Sequence, residues 1–268
     1  MTRNTHLFYS ILVVLVLAAC SSEKKKKKNQ DSQKTKKVQA IIRNGISLLE
    51  IDNTDDIGIL KIENIETSNS LNVAGIDINY SLQKFVLGAQ SKEIDKKNTI
   101  NSKKGQSLGI IVNNGKPKHI YSDSLNSIKS SRNSDCLVFT YLTKSNGVGL
   151  KNNDAYDLNY IGNQDSVDLT APRLIMVQPA RNSKVKFKQK DKVLLDFYPL
   201  NIVIGEEDYK IRMKIDSTTF TLDKWAPYRI MGLNPGKHSI SLKLINQRKS
   251  SSKEKLEIVK HNFVISEE

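Results

Sequence analysis

The chain has 268 residues and a formal net charge of +14, but much of that charge lies near the amino terminus. Eight lysines and one aspartate fall within Lys24–Lys37, whereas the chain from Val38 onward holds 33 basic and 26 acidic residues. A body that is only mildly basic argues against nucleic-acid binding.

The first residues predict a secretory signal peptide over residues 1–19. Arg3 and His6 precede an apolar run from Leu7 to Leu17 that only Ser10 interrupts. This run is too short for a membrane-spanning helix, which needs about 20 residues. The segment is therefore expected to direct export and to take no part in the fold.

A cysteine follows the apolar run directly. Leu17-Ala18-Ala19-Cys20 resembles the lipobox of bacterial lipoproteins, in which small residues precede a cysteine that becomes the acylated amino terminus. The resemblance implies palmitate-type acyl chains on Cys20, which anchor a protein by about 0.8 kcal/mol per buried methylene. The alternative is an ordinary signal peptide followed by a chance cysteine.

A lysine-rich tether is predicted over residues 20–40, because this window contains no apolar cluster. Next to a lipid anchor, its lysines would lie close to anionic head groups, where each contributes about 1 kcal/mol. The segment is either a charged stalk held at the membrane or a self-repelling spacer.

The rest of the chain consists of short β-rich runs, and no long window keeps the apolar stripe of a helix. The first predicted strands are Ile57–Ile65, Ile76–Leu82 and Leu108–Val112. Asn114-Gly115 follows the last of them and favours a tight hairpin turn.

Later strands show clearer patterns. Apolar and basic residues alternate in Tyr209–Asp216, so one face is predicted to be core and the other to face water. Lys192–Tyr198 is more apolar and predicts a central strand. Leu233–Leu244 is a tight turn followed by alternation, which resembles the late strands of immunoglobulin-like and fibronectin-like sandwiches.

These patterns predict an all-β fold of two immunoglobulin-like or fibronectin-like antiparallel β-sandwich domains. Pro172 opens a new series of strands, which gives an N-terminal domain over 41–170 and a C-terminal domain over 171–268. Ser91–Gln106 has almost nothing to bury and predicts a long exposed loop, either disordered or functional. Cys136 lies in an apolar run, which favours a buried, inert thiol over a catalytic one.

Several segments together resemble a family of uncharacterised envelope lipoproteins of the Bacteroidota, sometimes labelled phosphopeptide-binding. The matching segments are Ile78–Gln90, Lys104-Gly105-Gln106 leading to Asn113-Asn114-Gly115, Val193–Tyr198 and Phe220–Tyr228. The resemblance spans most of the chain beyond the tether and implies a location but no activity.

The chain departs from this family at a histidine pair. Relatives show Gly-Gln-His-x-His where this chain has Gly105-Gln106-Ser107-Leu108-Gly109, so no metal is expected there. His119 matches a nearby family histidine, and a lone histidine before a strand favours a structural role. Lipoproteins of the Bacteroidota that are sent to the cell exterior often carry a cluster of acidic residues just after the cysteine, and Ser21–Lys24 lacks such a cluster. We therefore predict the periplasm-facing side of the outer membrane.

Two surfaces are candidates for binding. The basic sides of two predicted strands would form one surface if the strands are neighbours, and that surface suits acidic polysaccharide, lipid head groups or an acidic protein. Trp225 and Tyr228 lie near a proline bend and suit sugar stacking or partner binding, or else cap one end of the sandwich. The basic residues are Lys184, Lys186, Lys188, Lys210, Arg212 and Lys214.

No nucleotide-binding loop, zinc spacing or nucleophile elbow is present, so no cofactor, metal or catalytic residue is predicted. The sequence favours a non-enzymatic envelope lipoprotein that binds or scaffolds in the periplasm. Its expected partners are the membrane, through the lipid, and an acidic glycan or envelope protein. The alternatives are a glycan- or peptidoglycan-binding accessory module, and an enzyme whose site is formed at the domain junction without a known motif.

Overall fold

The computed structural model describes residues 40–52, 57–70, 73–92, 100–123, 127–129, 135–163, 167–247 and 258–267. All of them belong to one compact unit, Val38–Glu268. The predicted signal peptide, Cys20 and nearly all of the tether lie outside the described residues. Within the described ranges, no helix is both long and apolar enough to cross a membrane.

The regular secondary structure of the described residues is almost entirely β-strand, which confirms the predicted all-β fold. In chain order the strands are β1 Ala40–Arg43, β2 Ile46–Glu50, β3 Ile59–Ser70, β4 Val73–Gln83, β5 Ser107–Val112, β6 Lys118–Ile120, β7 Ser127–Lys129, β8 Cys136–Thr143, β9 Tyr156–Ile161, β10 Arg173–Gln178, β11 Ser183–Lys186, β12 Val193–Leu200, β13 Tyr209–Ile215, β14 Thr218–Leu222, β15 Tyr228–Met231, β16 Gly236–Asn246 and β17 Ile258–Ser266. Among the residues that the structure describes, short 3-10 helices lie at Asn153–Ala155 and Phe187–Lys192.

Four sheets form two β-sandwiches. Sheet I (β3-β4-β7) and sheet II (β6-β5-β8-β9) enclose one apolar core, which includes Ile76, Leu108 and Val138. Sheet III (β1-β2-β15-β12-β10) and sheet IV (β11-β17-β16-β13-β14) enclose a second core, which includes Phe197, Met213 and Phe220.

The second sandwich has immunoglobulin-like topology. Its successive strands β10, β12 and β15 lie side by side in sheet III, as strands A, B and E do in that fold. Sheet IV holds β13, β16 and β17 in the positions of strands C, F and G. β11 pairs with β17 in parallel, whereas the other described strand pairs are antiparallel.

The structure differs from the predicted domain bounds at the start of the body. β2 pairs with β15, with Leu48 opposite Ile230, so the segment assigned to the N-terminal domain completes the C-terminal sandwich. Ile46 and Leu48 are buried in the second core. β2 lies beside β15 in the position that strand D holds next to strand E in immunoglobulin domains, and β1 is the edge strand outside it. Local sequence patterns cannot reveal this pairing, because its partners are far apart along the chain.

A third core joins the two sandwiches into a stack of four layers, I–II–III–IV. It contains side chains from the outer face of sheet II and from the outer face of sheet III. The buried members are Ile111, Phe139, Tyr141, Ile175, Val177, Tyr198 and Leu200. The strands β5, β8, β10 and β12 of these two sheets are therefore buried on both faces.

The observed turns and loops differ in a few details from those predicted from the sequence. β5 and β6 form the predicted hairpin, but the left-handed residues of the turn are Asn113 and Asn114, with φ of 48° and 55°, rather than Gly115. β11 ends at Lys186, so Lys188 lies in a 3-10 helix and not in the predicted alternating strand. Residues 93–99 of the predicted exposed loop lie outside the described residues.

The described ends of that loop are tied to the first sandwich by hydrogen bonds. Ser102 N donates to Ser145 O at 2.7 Å, and Ser145 N donates to Ser91 Oγ at 3.0 Å. Gln106 N donates to Ala89 O at 2.8 Å. The segment is thus a loop with anchored ends, although its side chains are mostly polar.

Candidate functional site

The contact between sheets II and III contains one buried ion pair. Asp196, on β12, is fully buried and pairs with Lys151, whose side chain is 4% exposed. The other carboxylate oxygen of Asp196 accepts a 2.7 Å hydrogen bond from Gly149 N. Asp196 thereby holds the segment 149–151 of the first sandwich against β12 of the second.

Aromatic rings surround this ion pair. The Lys151 ammonium lies 3.9 Å from the centre of the Tyr198 ring and 5.8 Å from that of Trp225. The Tyr198 hydroxyl donates to Leu150 O at 3.1 Å. Burial, followed by the negative charge of Asp196, raises the pKa of Tyr141, which therefore stays neutral at physiological pH. The two charges of this network neutralise each other and hold the first sandwich against sheet III.

Trp225 and Tyr228 do not form one exposed patch. Tyr228 is 4% exposed, and burial raises the pKa of its hydroxyl. Trp225 is half-buried, packs against two cores, and donates from Nε1 to Phe197 O at 2.9 Å. The capping interpretation therefore fits Tyr228 fully and Trp225 in part, because part of the indole remains accessible.

The accessible part of Trp225 lines a groove with two tyrosines that the sequence did not connect with it. The groove has a volume of about 760 Å³, within the usual range for small-ligand sites. We call it the aromatic groove; its lining includes Tyr156, Tyr209, Trp225, Asn153, Asn201 and Asp208. Aromatic faces beside amide and carboxylate groups suit a sugar ring.

A smaller groove of about 300 Å³ lies where the two sandwiches meet. Ser102, Ser145 and Asn146 line it from the first sandwich, and Gln178 and Arg229 from the second. Lys184 also lines it, so the titratable side chains among its described lining are both cationic. No acid and base converge there.

The predicted lysine strands lie in one sheet but are not neighbours. Sheet IV has the order β11-β17-β16-β13-β14, so two strands separate Lys184 and Lys186 from Lys210, Arg212 and Lys214. The register places all five on the outer face, because Lys184 is opposite Val264 and Arg212 is opposite Lys243. Lys188 occupies no position in this sheet.

The two intervening strands add lysines that sequence reasoning missed. Lys237 and Lys243 on β16 and Lys260 on β17 also point outward, since Ile240, Leu242 and Val259 point into the core. These lysines alternate with apolar residues along the sequence, and this alternation could have identified them as facing water. We call this surface the basic face; its cations are Lys184, Lys186, Lys210, Arg212, Lys214, Lys237, Lys243 and Lys260. Among the described outward positions of sheet IV, none carries a carboxylate.

His119, His261 and Cys136 contact other parts of the fold, as residues with a structural role do. His119 Nδ1 lies 2.9 Å from Ser107 Oγ, and His261 Nδ1 donates to Pro179 O at 2.9 Å. Cys136 is fully buried in β8, as predicted. In the part of the chain that the structure describes, no three metal-ligating side chains come together.

Replacing Asp196 by Asn tests the junction. The variant leaves the Lys151 charge buried without its counter-charge, so we expect the free energy of unfolding to fall by about 3–5 kcal/mol in chemical denaturation. The exposed Asp154→Asn should change it by less than about 0.5 kcal/mol. Adding Lys151→Met should restore part of the loss. A single Asp196→Asn variant as stable as the parent would contradict this role.

The two buried histidines predict a pH dependence. Burial lowers the pKa of His119, and burial with the nearby Arg181 charge lowers the pKa of His261. At pH values between these lowered pKa values and about 6.5, the unfolded chain binds more protons than the folded chain. The stabilising contribution of the two histidines is therefore fully present above this pH window and is lost as the pH falls through it.

Each histidine can contribute a slope of up to about 1.4 kcal/mol per pH unit to the unfolding free energy. His119→Gln and His261→Gln should each flatten the slope measured by denaturation between about pH 5 and pH 7. Comparing slopes removes any constant loss of stability in the variants. Slopes identical to the parent's would count against both assignments.

Comparisons with known proteins add little. No protein-family model matches the chain, and no curated protein sequence matches it. Among solved structures, it is similar to the fibronectin(III)-like modules of Clostridium thermocellum CbhA at 9% identity and a TM-score of 0.26. That match covers 78% of this chain and 94% of the other. A TM-score this low supports no conclusion about fold or function, and the fold described above depends on the strand pairing alone.

Proposed function

We propose that this protein is a non-enzymatic lipoprotein of the cell envelope that binds or scaffolds, anchored through Cys20 to the periplasm-facing side of the outer membrane. The observation that carries the proposal is the basic face, eight cations on one side of a sheet whose other side is core. Such a surface is a recognition surface for an anionic partner, since its field attracts and orients negative charge.

The chemistry of the buried groups supports binding over turnover. Asp196 and Lys151 neutralise each other inside a packed interface, and His261 donates to a backbone carbonyl. Catalytic acids and bases usually lie in a cleft, where a substrate can reach them. The buried charged and hydrogen-bonded groups of this protein instead hold segments of the fold together.

A second candidate function, recognition of glycan or peptidoglycan, is favoured by the aromatic groove. Trp225 and Tyr156 approach edge to face, with ring centres 5.9 Å apart, and the exposed Asn153 lies beside them. Rigid aromatic rings offer a sugar a large contact area at a small entropic cost. The polar neighbours supply hydrogen bonds at the rim.

Anchoring is tested by Cys20→Ser in cells. The variant lacks the acylated thiol, so we expect it in the soluble fraction after membranes are washed at about 1 M salt, which screens surface charge to about 3 Å. Metabolic labelling with palmitate should label the parent and not the variant. Cys136→Ser is the matched control and should remain labelled and membrane-bound. Recovery of the Cys20→Ser chain in washed membranes would reject the anchor.

Glycan recognition is tested by retention on insoluble cell-wall polymer. Trp225→Phe should lower retention about threefold, because the smaller ring keeps only part of a stacking contribution of about 0.5–1.5 kcal/mol. Asn153→Ala should lower it about three- to tenfold, because it removes a hydrogen bond of about 0.5–1.5 kcal/mol. Tyr228→Phe removes a buried hydroxyl outside the groove and should bind as the parent does. Melting curves separate lost contacts from lost structure. Undiminished retention of both groove variants would reject this second function.

A further inference from the structure

We propose that the basic face is a membrane-docking surface: the body lies with sheet IV against an anionic phospholipid surface. The inference deepens the proposed function, because it names the partner of the basic face. It does not depend on acylation of Cys20, since the face belongs to the folded body.

The shape of the face favours a planar partner. Neighbouring strands in a sheet lie about 4.8 Å apart, and side chains on one face repeat about every 6.7 Å along a strand. Cations on four of the five strands of sheet IV therefore form a two-dimensional array, about 14 Å wide across the strands and about 20 Å long along β16. A bilayer presents anionic head groups in the same way, as a plane rather than a line.

The other outward side chains of sheet IV also fit head groups. No aromatic ring occupies a described outward position, so the face lacks the stacking platform that a sugar would need. Ile258 lies opposite Lys243 and is 57% exposed. An aliphatic side chain among lysines suits the boundary between head groups and acyl chains. A soluble acidic polysaccharide would gain nothing from it.

The order of the layers places the basic face at one end of the stack. Sheet I, at the other end, has an outer face of mixed charge, where Lys61 is accompanied by Glu66 and Asp77, which are paired across β3 and β4. An anionic surface therefore attracts the sheet IV end more strongly than the sheet I end.

The point at which the predicted tether joins the body is compatible with docking through sheet IV. The predicted tether leads directly into β1 and β2, which belong to the sandwich that carries the basic face. Ala40 lies twenty positions after Cys20. A segment of that length spans at most about 70 Å, so the body of an anchored chain stays within reach of its membrane.

The face also imposes a local cost on the sheet. Arg212 and Lys243 lie directly opposite each other on β13 and β16. Like charges in this position repel each other and destabilise a strand pair. Asp216, the carboxylate that directly follows β13, is engaged by His238 Nδ1 at 2.8 Å and by Ser239 N at 2.9 Å. An anionic surface would supply the missing counter-charge.

Vesicle co-sedimentation tests the proposal with the chain from residue 20 onward carrying Cys20→Ser. The vesicles contain either equal parts of phosphatidylcholine and phosphatidylglycerol or phosphatidylcholine alone. The face variant combines Lys214→Gln, Lys243→Gln and Lys260→Gln. The control variant combines Lys61→Gln, Lys116→Gln and Lys118→Gln, which are exposed lysines outside sheet IV. Both variants keep the tether and lose the same charge.

We expect the parent and the control to bind phosphatidylglycerol vesicles alike, and neither to bind phosphatidylcholine. The face variant should bind roughly 10- to 100-fold more weakly, since each lysine near an anionic surface contributes about a fivefold factor. Binding should weaken steeply as salt is raised. The face variant should melt no lower than the control, because its substitutions relieve repulsion.

Two results would overturn the proposal. Equal vesicle binding by the face and control variants would assign the attraction to the tether or to general charge. Binding of the parent to soluble alginate without binding to phosphatidylglycerol vesicles would make the face a polysaccharide site. Because this chain carries no lipid, either result leaves the anchoring of the proposed function intact, and a failed Cys20 experiment leaves the vesicle result intact.

Discussion

Strands of two neighbouring sheets that are buried on both faces, above all β8 and β12, are the constraint on which the rest of the structure depends. In β12, Leu195 and Phe197 enter the core shared with sheet IV, while Tyr198 and Leu200 enter the core shared with sheet II. A strand in this position cannot expose polar side chains to water. Its one charged residue, Asp196, must therefore be neutralised inside the protein, and Lys151 does so.

The sequence contains this distinction between inner and outer layers. Tyr209–Ile215 alternates because sheet IV faces water on one side, and its core face was predicted correctly. Cys136–Thr143 and Val193–Leu200 are nearly continuous apolar runs because both of their faces are covered. Continuous runs indicate burial on both sides but do not identify the covering layer. The fold class was therefore predictable and the four-layer stack was not.

The basic face and the aromatic groove, like the fold, could be predicted from the sequence only in part. Periodicity placed Lys210, Arg212 and Lys214 on a water-facing side, which the register confirms. It could not join them to Lys184, because the two intervening strands come from the end of the chain. Trp225 stood out as the only tryptophan, but its neighbour Tyr156 comes from the other sandwich. Residues that meet only through tertiary contacts leave no local signal.

The pairing of β2 with β15 connects the architecture with the proposed position at the membrane. Because β1 and β2 belong to sheet III of the second sandwich, the chain enters that sandwich before it builds the first. In a chain anchored at its amino terminus, the tether is thus joined directly to the sandwich that is built mainly from the C-terminal half. The basic face lies on this half, and it shares no residue with the aromatic groove. Docking through sheet IV would therefore leave Trp225 and its neighbours available to a second partner.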